Sequence, residues 1–415
     1  MRTLVLDPGF EDLSSHHTNV NKQLISHFRA NSCELNILSS INLQGFDKQA
    51  LLADNTIPWF ISPCYVNGLR AVDHEQEQRL ALQFSIELSM ALKERHINRA
   101  DNLIIHSCFS FHILGLALFL QKEATTYAGK VIVCSMFHPG HRVAKQPHEL
   151  DGAVWYRRYK LALAFLSQLV SVSDKSAAPR RNVRLATSCK TYQEAFSDCS
   201  SLPWEVHPAI NFTDPIKPKA VDSEPYAKRV ILYIGALKHD KGIVFLVDAL
   251  PQILSRFSDT EFFVQFNEQS PNAHVFDDLK KRLVDIKQQH NNLSLTFAPL
   301  SQKDYEHQFA TSDALVMLYD VETYQLKTSG LLWDAIRHPH LNVFLPQGIW
   351  ASEEYQALGG QPFLFNEGCS DSLCEQLALW KAKPKGRLSL SEYGRVINQS
   401  FSKWCLQSLG FVENS

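Results

Sequence analysis

The sequence predicts an α/β protein made of two parallel-sheet domains, and three observations carry that prediction. Short, continuously apolar runs alternate with amphipathic segments along the chain, the pattern of parallel strands buried on both faces by crossover helices. The alternation stops once, at His207–Tyr226 (HPAINFTDPIKPKAVDSEPY), where four prolines and few apolar residues mark a linker, and then restarts. The length of 415 residues is too great for one ordinary core and comfortable for two.

Thr3–Asp7 (TLVLD) reads as the first buried strand. A loop, PGFEDLSSHH, leads to a helix whose Val20, Leu24, Ile25 and Phe28 share one face. Strands are expected at Glu34–Leu38 and Ile57–Ser62. A long helix follows over 73–95, with Asp73 at its cap and Gln76 three residues on. Asn102–Ser107, Lys130–Phe137 and Leu169–Ser173 complete the first set of strands. Beyond the linker, Arg229–Gly235 is a strand, and Ile243, Leu246, Val247 and Leu250 line one face of the next helix. Glu261–Asn267, a helix around Phe276–Ile286, Leu293–Leu300 and Asp313–Asp320 continue the series, and Leu390–Leu409 is again amphipathic. The expected organisation is a first domain over 1–212, a linker over 213–227, a second domain over 228–389 and a terminal helix over 390–415.

The bulk chemistry removes several function classes. Forty-one Lys and Arg nearly balance forty-three Asp and Glu, so no overall field invites nucleic acid, and no basic stripe with interleaved aromatics is present. Local basic clusters, Tyr156–Lys160 (YRRYK) and Pro179–Arg184 (PRRNVR), read as solvated faces, with an anion or membrane-surface patch as the alternative. Nine scattered cysteines, odd in number and without a C-x-x-C, fit a reducing cytosol. The start, MRTLVLDPGF, has no long apolar core, and the longest apolar run, Ile113–Leu120, is far below the ~20 residues a spanning helix needs. A cytoplasmic protein, at most peripheral to a membrane, is expected.

Ligands of open parallel sheets bind outside the carboxyl ends of the strands, which directs attention to strand-to-helix loops. Gly235–Gly242 (GALKHDKG) places Lys238, His239 and Lys241 between two glycines, just before a helix. A helix start attracts anions through its unpaired N–H groups and dipole; a solvated turn is the alternative, and the residues leave both open. Neither G-x-x-x-x-G-K-[ST] nor G-x-G-x-x-G occurs here. In the second loop, Tyr319–Ile336, Ser329 is a natural N-cap, Gly330 lets a ligand approach the backbone, and Leu331, Leu332, Ala335 and Ile336 bury the helix. Asp334 lies one turn in, placed to accept from a hydroxyl beside a bound phosphate, or else to face solvent. His16, His17, His106 and His138 fall at or near strand ends, each more often structural than catalytic when taken alone. Asp320-Val321-Glu322 superficially matches D-x-D and is not read as a metal site.

Taken in order and spacing, ILYIGALKHDKGIVFLVDALPQIL, DALVMLYD and TSGLLWDAI resemble the donor-binding domain of GT-B glycosyltransferases, closest to the retaining family 4 type, over about 228–380. SHHTNVNKQLISHF, NLIIHS and VIVCSMFHPG resemble more weakly the corresponding parts of that family's first domain. The resemblance implies two Rossmann-like doubly wound domains facing across a cleft. It implies transfer of a sugar from a nucleotide diphosphate sugar to an acceptor hydroxyl of a glycan or lipid-linked acceptor, as in polysaccharide biosynthesis. No metal or cofactor is implied beyond that co-substrate. Gly235, Lys238, Lys241, Pro299, Thr328, Ser329, Gly330, Leu331 and Asp334 would hold the donor, and His138, Lys241 and Glu322 would serve catalysis. His16, His17 and His106 would face the acceptor. The chain departs from the family at Ala236, where an arginine is usual, and at Leu326, the first position of a glutamate pair whose second is Asp334. Another GT-B enzyme, such as a nucleotide-sugar epimerase or a phosphorylase-like protein, and a non-catalytic nucleotide-sugar-binding subunit are the alternatives.

Overall fold

The computed structural model describes residues 2–13, 16–64, 74–123, 127–140, 152–170, 182–209, 228–267, 273–383 and 388–412. The chain divides into two compact units, Met1–Asp214 with Ile397–Ser415, and Pro215–Val396. The expected linker, 213–227, lies outside the described residues, as does Asp73.

In the first unit the elements run β1 (Thr3–Asp7), α1 (His16–Ala30), β2 (Leu35–Ser40), α2 (Ala50–Ala53), β3 (Thr56–Phe60), α3 (His74–Lys93), β4 (Asn102–Cys108) and α4 (Ser110–Lys122). They continue with β5 (Val131–Ser135), α5 (Gly152–Val170), β6 (Val183–Thr187), α6 (Lys190–Cys199) and β7 (Trp204–Val206). The seven strands form one sheet in the order β3-β2-β1-β4-β5-β6-β7, every pair parallel. Thr3 stands opposite both Leu35 and Asn102, so the winding direction reverses between β1 and β4. Val5, Leu24, Phe28, Ile37, Ile104 and Cys134 share one core, which explains the apolar runs. α4 is buried on nearly every side, its Gly115 so close to α3 that a Cβ would stand 2.5 Å from the Ala81 carbonyl oxygen.

The second unit contains β8 (Lys228–Ala236), α7 (Ile243–Arg256), β9 (Thr260–Asn267), α8 (Asp277–Gln289), β10 (Leu293–Thr296), α9 (Gln302–Thr311) and β11 (Ala314–Val316). It goes on through α10 (Val321–Tyr324), α11 (Gly330–Arg337), β12 (Asn342–Pro346), α12 (Trp350–Ala357), β13 (Phe363–Phe365) and α13 (Ser370–Ala382). Its strand order is β10-β9-β8-β11-β12-β13, again all parallel, and the winding reverses between β8 and β11. Val230, Leu232, Leu246, Leu250, Val264 and Phe344 lie in its core.

Several expectations are corrected. Leu169 and Val170 end α5 rather than begin a strand, and the rest of Leu169–Ser173 lies outside the described residues. The next strand is instead β6, which starts within the basic PRRNVR cluster. YRRYK is solvated only in part: Arg157 and Lys160 are exposed, while Arg158 and Tyr159 are buried, because α5 turns them onto α3 and the core. In α11 it is Trp333 that is buried, while Leu331 is half-exposed. The amphipathic tail is two helices, α14 (Glu392–Ile397) and α15 (Phe401–Ser408), because Ser400 caps a fresh start by accepting from the Lys403 N–H. α15 buries Phe401, Cys405 and Leu406 in the core of the first unit.

Candidate functional site

Each sheet has one winding reversal, and the ends of the strands beside it hold most of the polar residues singled out above. At the first unit's reversal, β1 ends in Asp7 and β4 carries His106, while α1 presents His17. The Asp7 carboxylate lies 2.8 Å from His17 Nδ1 and 3.1 Å from His106 Nε2. It also accepts from the Gly9 N–H at 3.2 Å and the Asn21 amide at 2.7 Å. All three titratable groups are buried. Burial alone would raise the Asp7 pKa, but the two imidazoles outweigh it and hold the carboxyl well below its ordinary value. His17 is affected the other way: burial pulls it down, and Asp7 brings it above its ordinary value. These ligand-type atoms lie within 4.8 Å of one another, the one such group among the described residues. The carboxylate's four contacts make it a closed charge knot. His17 and His106, expected to face the acceptor, both point inward onto Asp7 and are shielded from solvent. His16 opens α1, and its side chain lies outside the described residues.

His138 stands apart from the knot, just after β5. The Gly140 N–H donates to His138 Nδ1 at 3.0 Å, which leaves the proton on Nε2. Burial pushes the imidazole down to about 4, so near neutral pH it is uncharged. The ring packs edge-on against Tyr192, 5.4 Å between centroids, and Nε2 has no hydrogen-bond partner among the described residues. A half-buried neutral imidazole with a fixed tautomer can donate one hydrogen bond to a ligand oxygen.

At the second unit's reversal, β8 ends at Ala236 and the chain passes through Lys238 and a 3-10 turn over His239–Lys241 into α7. Gly242 makes this possible. Its φ is 76°, and a Cβ there would stand 1.9 Å from the Leu318 carbonyl oxygen, so the loop closes directly onto the one that follows β11. No side chain caps α7. Gln265, at the end of β9, accepts from the Gly235 N–H at 2.8 Å and donates to the Ala298 carbonyl at 2.9 Å. It thereby ties the glycine turn to the loop holding Pro299, which is exposed.

The loop after β11 adds a third lysine. Lys327 Nζ lies 2.7 Å from the Asp240 carboxylate and 4.6 Å from the centroid of the Tyr324 ring, while the Asp320 N–H donates to the Asp240 carbonyl at 3.0 Å. Lys238, Lys241 and Lys327 therefore share one place with Asp240. The field is legible on Lys241: burial first, then repulsion from Lys238 and Lys327, lower its ammonium to about 8 against the pull of Asp240. Its Nζ lies 3.5 Å from where a Gly235 Cβ would be. Asp320 caps α10, accepting from the Thr323 N–H at 2.8 Å, and Glu322 is exposed on that short helix.

Ser329 caps α11 as expected, accepting from the Leu331 N–H at 3.3 Å, and it shares a 2.8 Å hydrogen bond with the Tyr319 hydroxyl. Thr328 and Gly330 flank it, the glycine exposed. Asp334 accepts from the Tyr305 hydroxyl at 2.7 Å, and burial raises its carboxyl to about 6. Sequence reasoning missed Lys327, Asp240, Gln265, Tyr305 and Asp7. The available signals were a lone glutamine within the apolar strand EFFVQFN and a lysine next to Leu326.

No protein-family model matches the chain, and no curated protein matches it by sequence. Solved structures do. One is the E. coli trehalose-6-phosphate protein bound with UDP-2-fluoro glucose, at 11% identity, 100% coverage of both chains and a TM-score of 0.58. Another is a UDP-forming α,α-trehalose-phosphate synthase from Burkholderia xenovorans in complex with glucose-6-phosphate, at 9% identity, 99% and 100% coverage and a TM-score of 0.58. A third is the sucrose-phosphate synthase of Thermosynechococcus elongatus, at 12% identity, 99% and 95% coverage and a TM-score of 0.57. The fold is GT-B. At these identities the likeness fixes the architecture of this GT-B chain, two parallel-sheet α/β domains, and its residues have to speak for its chemistry. No described helix is long and apolar enough to cross a membrane.

Proposed function

We propose that this GT-B protein is a glycosyltransferase that takes a sugar from a nucleotide diphosphate sugar and passes it to an acceptor hydroxyl. The observation that carries the reading is the gathering of Lys238, Lys241 and Lys327 at the second unit's winding reversal, around an Asp240 carboxylate bonded to Lys327. Open α/β sheets bind ligands at such a reversal. Three ammonium groups beside an uncapped helix start suit a diphosphate, and they suit better still the charge that grows on it as the sugar leaves. Lys327 supplies from the second loop the cation that Ala236 does not supply from the first. Asp334, one turn into α11, would accept from a ribose hydroxyl, and His138 Nε2 would donate to the sugar. Glu322 lies on the same loop as Lys327 and would reach the sugar from there.

The resemblance to the retaining family 4 type supports a retaining transfer without a metal. In such a transfer the leaving phosphate takes the acceptor proton. A cytoplasmic location belongs to the same proposal, and UDP is the nucleotide to try first. A second reading, a donor-binding subunit without turnover, is favoured by Leu326, where an apolar side chain takes the place of a glutamate.

The test is a thermal-shift panel of UDP, GDP, ADP and CMP with their sugars, followed by product analysis. A ligand at a hundred times its dissociation constant adds about 2.7 kcal/mol of stability. Release of free nucleoside diphosphate together with a glycosylated product supports the transferase. Stabilisation without turnover against any acceptor selects the binding subunit, and the absence of stabilisation by every nucleotide rejects both.

A further inference from the structure

Within the first unit, α4 is flanked by α3 and α5, and the first turns of the two flanking helices frame a cavity of about 460 Å³ over Leu114. His74, Glu77 and Gln78 line it from α3, and Val154, Arg157, Arg158 and Leu161 from α5. Each of these helices follows a strand, so the cavity lies at the carboxyl edge of the sheet, where ligands of such folds are held. Its volume is in the range of small-molecule sites.

The charges in it are unevenly matched. Both carboxylates in the first turn of α3 are already paired. Glu75 holds Arg79 on the surface, and Glu77 lies 2.7 Å from Arg158 Nε with both side chains buried. Glu77 also accepts from the Ser110 hydroxyl, and burial nonetheless raises its pKa. His74 is bonded to Gln78 at 2.9 Å. That leaves Arg157, exposed and with no ion pair among the described residues, as the unbalanced charge at the mouth.

The remaining walls are apolar: Leu114, Val154 and Leu161, the last 52% exposed. One turn beyond Gln78 a ridge of exposed apolar side chains begins, with Leu82, Ile86 and Met90 at four-residue intervals. Over those eight residues it extends about 12 Å. Among the described lining residues Gln78 is the one amide, and none is Ser, Thr, Asn or Asp. A bare sugar phosphate would leave its hydroxyls largely unpaired there.

We propose that this cavity binds an amphiphile, an alkyl chain ending in a phosphate, with the phosphate on Arg157 and the chain over Leu114 and Leu161. The proposal deepens the transferase reading, since it names the class of acceptor the first unit would take, but the binding itself can be tested without that reading. The phosphate could come from a soluble alkyl phosphate or from a lipid headgroup, and the experiment separates these sources.

Calorimetric titrations of the full chain would use octyl phosphate below its micellar range, inorganic phosphate, and octyl glucoside. Each methylene buried multiplies affinity about fourfold, so two or more give octyl phosphate over a tenfold advantage over inorganic phosphate. Octyl glucoside, without the anion, is expected to bind at least fivefold more weakly than octyl phosphate. Arg157→Gln is expected to weaken octyl phosphate five- to tenfold, and Leu161→Asp at least tenfold. Both side chains are exposed, so melting temperatures should stay at the wild-type value and report folding. Sedimentation with phosphatidylcholine vesicles containing phosphatidic acid distinguishes the sources: Arg157-dependent pelleting assigns the lipid, and octyl phosphate binding without pelleting assigns the soluble compound.

Equal affinity for octyl phosphate and inorganic phosphate, or undiminished binding by both variants, would overturn the proposal. Displacement by UDP would place the alkyl phosphate on the lysines and overturn it as well. Lys241→Ala, impaired in the donor site, should bind octyl phosphate as wild type does. A failed donor assignment therefore leaves the cavity standing, and the reverse also holds.

Discussion

The two sheets wind alike, each reversing beside its first strand, yet they treat the charge at that reversal in opposite ways. In the first unit Asp7 is surrounded by His17, His106, Asn21 and the Gly9 N–H, and the group is sealed. In the second, Lys238, Lys241 and Lys327 gather around Asp240, whose carboxylate is bonded to Lys327. A charge that serves the fold has its partner inside the protein, because an unpaired buried charge costs several kcal/mol. An excess of one sign is tolerable only where solvent or a ligand completes it. On the proposed reading, the first reversal serves stability and the second serves binding.

The largest expected effect breaks the first half of that statement. Asp7→Asn leaves a buried His17 without its counter-charge and should cost about 3 to 5 kcal/mol of stability, read as a lower urea midpoint for the first unit. The sign with pH follows from the shifts. Asp7's lowered pKa contributes stability above the ordinary carboxylate range, and this is lost as pH falls through its folded value. His17's raised pKa contributes fully below about 6.5 and is lost as pH rises through its folded value. The advantage of wild type over Asp7→Asn should thus be widest between about pH 4 and 6.5. A variant as stable as wild type across that window would show that the knot carries no stability.

His138 lies outside the knot and is expected to behave differently. His138→Ala should keep nucleotide affinity and melting temperature while turnover falls about a hundredfold, the usual scale for a positioned polar group. If it loses melting temperature and keeps specific activity, the imidazole belongs with the structural histidines.

A smaller effect sharpens the second half. Affinity for a nucleotide sugar, whose diester phosphates do not titrate near neutrality, should peak between about pH 6 and 8. Below that window Asp334 takes up a proton and becomes a weaker acceptor for ribose, and above it Lys241 loses its charge. A flat profile from pH 5 to 9 would remove both groups from the site. The smallest effect is that of Asp334→Ala. It should weaken a ribonucleotide by about 0.5 to 1.5 kcal/mol more than its deoxyribose counterpart, one hydrogen bond's worth, in a competition titration. Equal losses would mean only that α11 was damaged.

What was legible in the sequence follows the same division. β8, β9 and α7 announce themselves because buried strands and amphipathic helices leave local periodicities, and Ser329 is found because a cap acts within three residues. β6 was misplaced because Arg184 interrupts its apolar run, and the sequence before it, RRN, is polar and basic. The knot was invisible because His106 reaches Asp7 across 99 residues, and no local pattern encodes such a pairing. Lys327 was missed for the same reason, since it enters the site by way of Asp240, 87 residues earlier.

The most direct test of the account is calorimetric titration of UDP, or of whichever nucleotide the panel selects, into wild type, Lys241→Ala and Lys327→Ala at pH 7. Each variant loses one charge-assisted contact, so each should bind about ten- to a hundredfold more weakly, with its melting temperature unchanged. Wild-type affinity in both variants would contradict the assignment of the second reversal to the diphosphate.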